Sequence, residues 1–146
     1  MADGVFNIAK GAFVEKIRDG ASNVLVLLLK ANETETDLVD HDDLAALLGA
    51  AGNTEADATN YARKTGITGT ITVDDVNDRV DADIPDQTWN NLGGALNNTL
   101  TKLIVAYEES AADSGRIPLT HHDFSVTTDG SDVTAQINAS GFARAS

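Results

Sequence analysis

Cysteine is absent from all 146 residues, so the chain has no disulfide, no thiolate nucleophile and no cysteine-based zinc or iron–sulfur site. Positive charge is scarce. Ten lysines and arginines stand against 23 aspartates and glutamates, a formal net charge of −13, and the basic residues form no stripe. A polyphosphate backbone would be repelled, so nucleic acid is not an expected partner. Long apolar runs are missing too. The longest, VLVLLL from Val24 to Leu29, is far short of the roughly 20 residues a membrane helix needs, and no membrane partner is expected. The opening MADGVFNIAKGAF has no basic stretch followed by an apolar core, so the expected place is a cytoplasm, or an assembly made there. Gly-x-Ser-x-Gly, Gly-x-x-x-x-Gly-Lys and His-Glu-x-x-His are all absent, which leaves no familiar catalytic or phosphate-cradling motif. Neither an enzyme nor a cofactor is expected.

What remains is enough for a core. The length suits one domain, 1–146, which would bury about 70% of the surface its unfolded chain exposes, and 42% of the residues are hydrophobic. The charge is unevenly placed. Residues 1–32 hold four basic and three acidic side chains, residues 33–86 three and fourteen, and residues 87–146 three and six, for net charges of +1, −11 and −3. The amino-terminal segment is therefore the part least repelled by an acidic partner.

The periodicity changes along the chain. In VFNIAKGAFVEKIRDG, Phe6, Ala9, Phe13 and Ile17 share a helical face, with Gly20 as a stop. SNVLVLLLKA reads as a strand buried on both faces. In DHDDLAALLGAAGN, Asp40 is placed to cap a helix whose apolar stripe is Leu44, Leu47, Leu48 and Ala51, ended by Gly52. After it the period becomes two, in NYARKTGITGTITV and around Leu103 to Tyr107. DFSVTTDGSDVTAQIN predicts a hairpin turning at Asp129-Gly130, with Phe124 and Val126 alternating before the turn and Val133, Ala135 and Ile137 after it. The predicted fold is mainly β (α+β): an antiparallel β-sandwich or barrel-like domain with one or two short helices.

Three stretches hold residues able to do chemistry. DDVNDRVDADIPDQTW packs six aspartates before the single tryptophan, Trp89. Read as a calcium loop from Asp75 it fails, because Arg79 falls at a ligand position and Val80 where the turn glycine belongs. Val80, Ala82 and Ile84 instead alternate with Arg79, Asp81 and Asp83, which predicts a strand with the valine and alanine inward, the aspartates in water and Pro85 at its end. A cation site shared with a neighbouring loop or subunit is the other reading. LTHHDF offers His121, His122 and Asp123, the residue types of a facial metal triad, yet adjacent strand residues point to opposite faces, so a surface or interface pair is the expectation and no metal is assigned. His41, in the first turn of the leucine helix, is a lone histidine. Trp89 and Tyr107 could stack on a ligand, but one core aromatic at a strand end and one on a strand is the expected role. The final FARAS either closes the sheet or reaches a neighbouring subunit.

At DVNDRVDADIPDQTW, at YARK (Tyr61 to Lys64), and above all at IPLTHHDFSVTTDGSDVTAQINASGFARAS, the chain resembles small virion structural proteins of tailed bacteriophages, particularly those infecting actinobacteria. FNIAKG and LAALL fit the same group. The Asp-Gly-Ser-Asp-Val-Thr-Ala-Gln tail is the most specific part of the likeness, which runs over nearly the whole length. It implies a non-enzymatic capsid decoration or minor capsid protein on the capsid exterior, binding the outside of the major capsid protein lattice as a homo-oligomer, with a trimer as one form. It supplies no active-site residues. A tail or head-tail connector component, and a small-ligand or carbohydrate-binding β domain, are the alternatives. On charge, residues 1–20 are the expected docking segment, through Phe6, Lys10, Phe13, Lys16, Ile17 and Arg18, with the acidic middle outward; GFARAS is the competing contact.

Overall fold

The computed structural model describes residues 3–9 and 22–145. Its centre is a strand of uninterrupted apolar character, β2 (Val24–Ala31), in which the six residues from Val24 to Leu29 are all buried. Such a strand must be covered on both faces and paired on both edges. On one side it pairs antiparallel with β8 (Thr99–Glu108), from Val24↔Tyr107 to Leu29↔Lys102. Its other side is shared by two short strands, β3 (Thr54–Glu55) against Leu29 and Ala31, and β4 (Lys64–Ile67) against Val24 and Val26. Beyond β8 lie β9 (Arg116–Thr127) and then β1 (Gly4–Val5), which completes a six-stranded antiparallel sheet.

Strand alternation sorts this sheet into two faces. Leu25, Leu27 and Leu29 stand beside Ala106, Ile104 and Lys102, and Ile104 stands beside His121. Phe6 meets the His121 ring edge-on, 5.7 Å between centroids, and α1 (Glu35–Leu38) reaches Lys102 through Glu35, so the amino terminus and helices cover this face. The helix α2 (Leu44–Gly49) packs on β9 and buries Leu44 and Leu47. Toward the opposite face, where Leu103 stands beside His122, come a three-stranded sheet and a ribbon. The sheet has β5 (Thr70–Asp74), β6 (Arg79–Asp83) and β11 (Ala143–Ala145) in the order β11-β6-β5; the ribbon pairs β7 (Gln87–Trp89) with β10 (Val133–Ala135). The result is a mainly β, sandwich-like α+β domain with antiparallel sheets and short helices, as the pattern predicts.

Two local expectations are corrected. The leucine helix is capped by Asp43, whose Oδ1 accepts from the Ala46 amide at 2.7 Å, and not by Asp40, which instead accepts from Asn7 Nδ2 at 2.6 Å. The helix also ends at Gly49, three residues before Gly52, leaving Ala51 exposed. The Asp129-Gly130 turn forms, with Gly130 at φ 96° and Asp129 accepting from the Ser131 amide, but the strands flanking it do not pair. β9 is already laddered to β8, and β10 turns away to β7. Turn chemistry is local, whereas the choice of partner strand is decided by the wider sheet. The amino-terminal helix expected through Phe13 and Ile17 lies largely outside the described residues.

β11 is delivered to β6 by a turn at Gly141, which has φ 84°. The Gly141 amide donates to Asn138 O, and the Phe142 amide to Ala82 O at 2.9 Å. A Cβ at position 141 would run into the Ala82 carbonyl, in a conformation that costs a non-glycine residue about 1–3 kcal/mol even without the clash. Gly141→Ala is therefore expected to lower the melting temperature by about 5 °C or more, while Gly49→Ala, which meets nothing within 4 Å, leaves it unchanged or raises it slightly. Thermal unfolding followed by circular dichroism checks both.

Candidate interaction surface

Buried charge in this molecule is paired. Lys102, in the middle of β8, has a side chain with no solvent exposure, yet its Nζ reaches Asp123 Oδ1 at 2.5 Å and Glu35 Oε1 at 2.8 Å. Burial works against its charge, but the two carboxylates outweigh that and hold its pKa above the usual lysine value. A second network runs across the molecule: Glu55 is bidentate to Arg63, Arg63 reaches Asp113 at 2.6 Å, and Asp113 also takes Arg116, which pairs with Glu108. The Arg63 hydrogen bond, reinforced by Arg116, pulls the Asp113 carboxyl down to about 2. Glu55 also accepts from the Tyr61 hydroxyl, which in turn receives the Leu28 amide. These contacts tie loops to the central strand.

The histidines are engaged separately. His121 and His122 point to opposite faces but are not the expected surface pair: His121 is buried in the core against Phe6 and Gly4, where β1 and the amino terminus cover this face of β9, and His122 is held by Asp3 at 3.2 Å and by the Thr120 hydroxyl. Asp123 belongs to Lys102. Among the described residues no three His, Cys, Asp or Glu side chains converge as a metal site. His41 lies before α2 and contacts the Glu33 carboxylate. Trp89 is a core aromatic on β7, its Nε1 donating to Ala62 O at 2.8 Å, with the Lys64 ammonium 5.5 Å from the ring centroid. Tyr107 lies half-buried on β8. A cleft of about 570 Å³ opens between β9 and the carboxyl-terminal segment, lined by Leu103, His122, Phe124, Ile137, Phe142 and Arg144 among others.

The six clustered aspartates resolve into mostly structural tasks. Asp74 builds the β5–β6 turn by accepting from the Asn77 amide and side chain, and Asp78 takes the left-handed conformation, φ 50°. Asp83 accepts from the Ile84 amide and Asp86 from the Ile137 amide. Asp81 departs from the expectation of a solvated face. It is 8% exposed, because β11 brings Arg144 directly across from it, Nε to Oδ1 at 2.6 Å, with Arg79 at 3.4 Å and Asp74 continuing the row at 3.0 Å. Val80, expected in the core, is 36% exposed. The alternation has the predicted period, but the hairpin overhangs the core. Ala82 and Ile84 meet it and are buried, whereas Val80, further out on the strand, does not join the buried core.

That overhang leaves an apolar face bare. Ile71, Ala82 and Ala143 are cross-strand neighbours packed toward the core, and one step outward Val73, Val80 and Ala145 repeat the arrangement in solvent. Val73 is 64% exposed and Val76, at the turn, 91%. The sequence signal was available: VDDVNDRV places three valines among charges. FARAS closes the β5-β6-β11 sheet, the first of its two expected roles. Of the docking residues expected at the amino terminus, Phe6 is wholly buried in the core, and Lys10, Phe13, Lys16, Ile17 and Arg18 lie outside the described residues. Lys102 gave no warning, being one charge inside an apolar strand. Comparison with protein-family models, curated proteins and solved structures found no match to this chain.

His121 generates a pH prediction. Burial, helped by the nearby positive charge of Lys102, lowers its pKa below the ordinary 6.5, while Glu35 and Asp3 pull the other way. Its Nδ1 has no hydrogen-bond partner among the described residues. The unfolded chain thus binds this proton more readily, so stability falls as pH drops below about 6.5 and is recovered as pH rises through that window. Denaturant unfolding at pH 7 and pH 5 should show a smaller loss for His121→Leu than for the wild type.

Proposed function

We propose that this chain is a non-enzymatic structural protein of a phage virion, a capsid decoration or minor capsid protein that binds the outside of the major capsid lattice and works as a homo-oligomer. The observation that carries the reading is the bare valine face of the β5–β6 hairpin. A chain of net charge −13 that nevertheless leaves Val73 and Val80 side by side in water on a well-paired hairpin, with Val76 exposed at its turn, has a surface suited to completion by assembly. The likeness of DVNDRVDADIPDQTW and of the carboxyl-terminal stretch to virion proteins supports it, and the first of these stretches overlaps the hairpin. Buried charge committed to ion pairs also suits a scaffold, since Lys102, Arg63 and Asp113 all have partners that hold elements together.

A small-ligand-binding β domain is the second reading, favoured by the cleft beside His122 and Phe124. Quantitative mass spectrometry of purified particles separates the two. A decoration protein is expected at the copy number of the capsid subunit or a simple fraction of it. Absence from particles, or only trace copies, contradicts the proposal.

A further inference from the structure

We propose that the β5–β6 hairpin is a docking arm, and that its bare apolar face seats in an apolar groove bordered by lysine or arginine side chains on another protein. This rests on the assembly reading only for the identity of the partner; the chemistry of the contact follows from the arm itself.

Three of the four large hydrophobic side chains exposed among the described residues, Val73, Val76 and Val80, fall within eight consecutive positions. Val73 and Val80 form one strip with Ala145, because Val73↔Val80 and Ala145↔Val80 repeat, two residues further out, the pairing of Ile71↔Ala82 and Ala143↔Ala82, and Val76 stands at the turn that joins the two strands. Their orientation is specified. A slip of one residue would turn the strip over, and the opposite face of the same strands holds Arg144, Asp81, Arg79 and Asp74 in ion-pair contact. The arm is thus presented with its valines outward and its charges locked behind them, the preorganised state that reduces the ordering cost of binding.

Charge selects the occupant. Residues 70–83 hold five aspartates and one arginine, and around the hollow formed by Val73, Val80 and Ala145 stand Asp75 and Asp78, which lie outside the ion-pair row, together with the paired Asp74 and Arg79. A second copy packing arm to arm would bring these aspartates against their equivalents, whereas a groove edged with basic side chains pairs with them and steers the encounter.

The test uses the full chain and, as probe, a short synthetic peptide of alternating valine and lysine, with a valine–glutamate peptide as control. Binding is followed by fluorescence anisotropy and by amide shifts. The wild type is expected to bind the valine–lysine peptide at least about tenfold more tightly than the Val73→Ser/Val76→Ser variant, which keeps every charge, and more tightly than it binds the control. Shifts should concentrate in residues 70–83 and 143–145. Both substitutions are at exposed positions, and circular dichroism verifies that the variant is folded. Equal affinity of wild type and serine variant, or shifts elsewhere, overturns the docking arm. Wild-type protein that shows the peptide result but fails to bind purified heads of the encoding phage leaves the arm standing and contradicts the capsid reading alone.

Discussion

Arg144 lying across Asp81 is the contact on which the exposed hairpin depends. It joins the last described strand to β6 at 2.6 Å and buries the carboxylate almost completely. With Asp81 so engaged, the charged row Arg144, Asp81, Arg79 and Asp74 fills one face of the small sheet. Side chains alternate along each strand, so the valines have only the other face to occupy. The hairpin reaches past the core, and that second face ends in water. The ion pair thus reinforces the register that the Gly141 turn and the Phe142–Ala82 backbone bond establish, and with them sets where β11 lies and which surface is offered to a partner.

Lys102 applies the same rule at the centre of the fold. Its buried ammonium meets the partly exposed carboxylates of Glu35 and Asp123 and so joins β8 to α1 on one side and to β9 on the other. A contact of this kind contributes little net stability compared with apolar packing, but losing the carboxylates would leave the Lys102 charge unpaired in the interior. The consequence is specificity of arrangement: α1 has one place to sit. The histidine beside it, His121, fills the remaining space with a neutral ring and leaves no room for a side chain at Gly4. The same logic of satisfied interior charge extends through Glu55, Arg63, Asp113, Arg116 and Glu108, so the acidic excess falls on the outside.

Much of the architecture was legible in the residues because it rests on composition and period. VLVLLL reads as a strand covered on both faces and LTKLIVAY as another strand, though their pairing came only with the structure; the leucine helix follows from spacing and a nearby aspartate, though the particular aspartate was missed by one turn. What failed was non-local. The Asp129-Gly130 turn is real, yet its flanking strands find other partners, because β9 gains a long ladder on β8 that β10, with three residues, could not match. In RVDADIP the period was right and the boundary of the core was not. Alternation indicates which residues share a face but not how far the opposing layer extends, so Val80 and Asp81 exchanged environments while Ala82 and Ile84 did not. The candidate surface was hidden for that reason: a valine among aspartates looks like a core residue until its neighbours are located.

The Arg144–Asp81 contact holds the outward-facing hairpin in place independently of the main sheet. Amide hydrogen exchange on wild type and Arg144→Gln tests it most directly. Protection in residues 70–74, 79–83 and 143–145 should fall at least about tenfold in the variant, with β2 and β8 unchanged. Retained protection in the hairpin, or equal losses in the hairpin and the central strands, would contradict it.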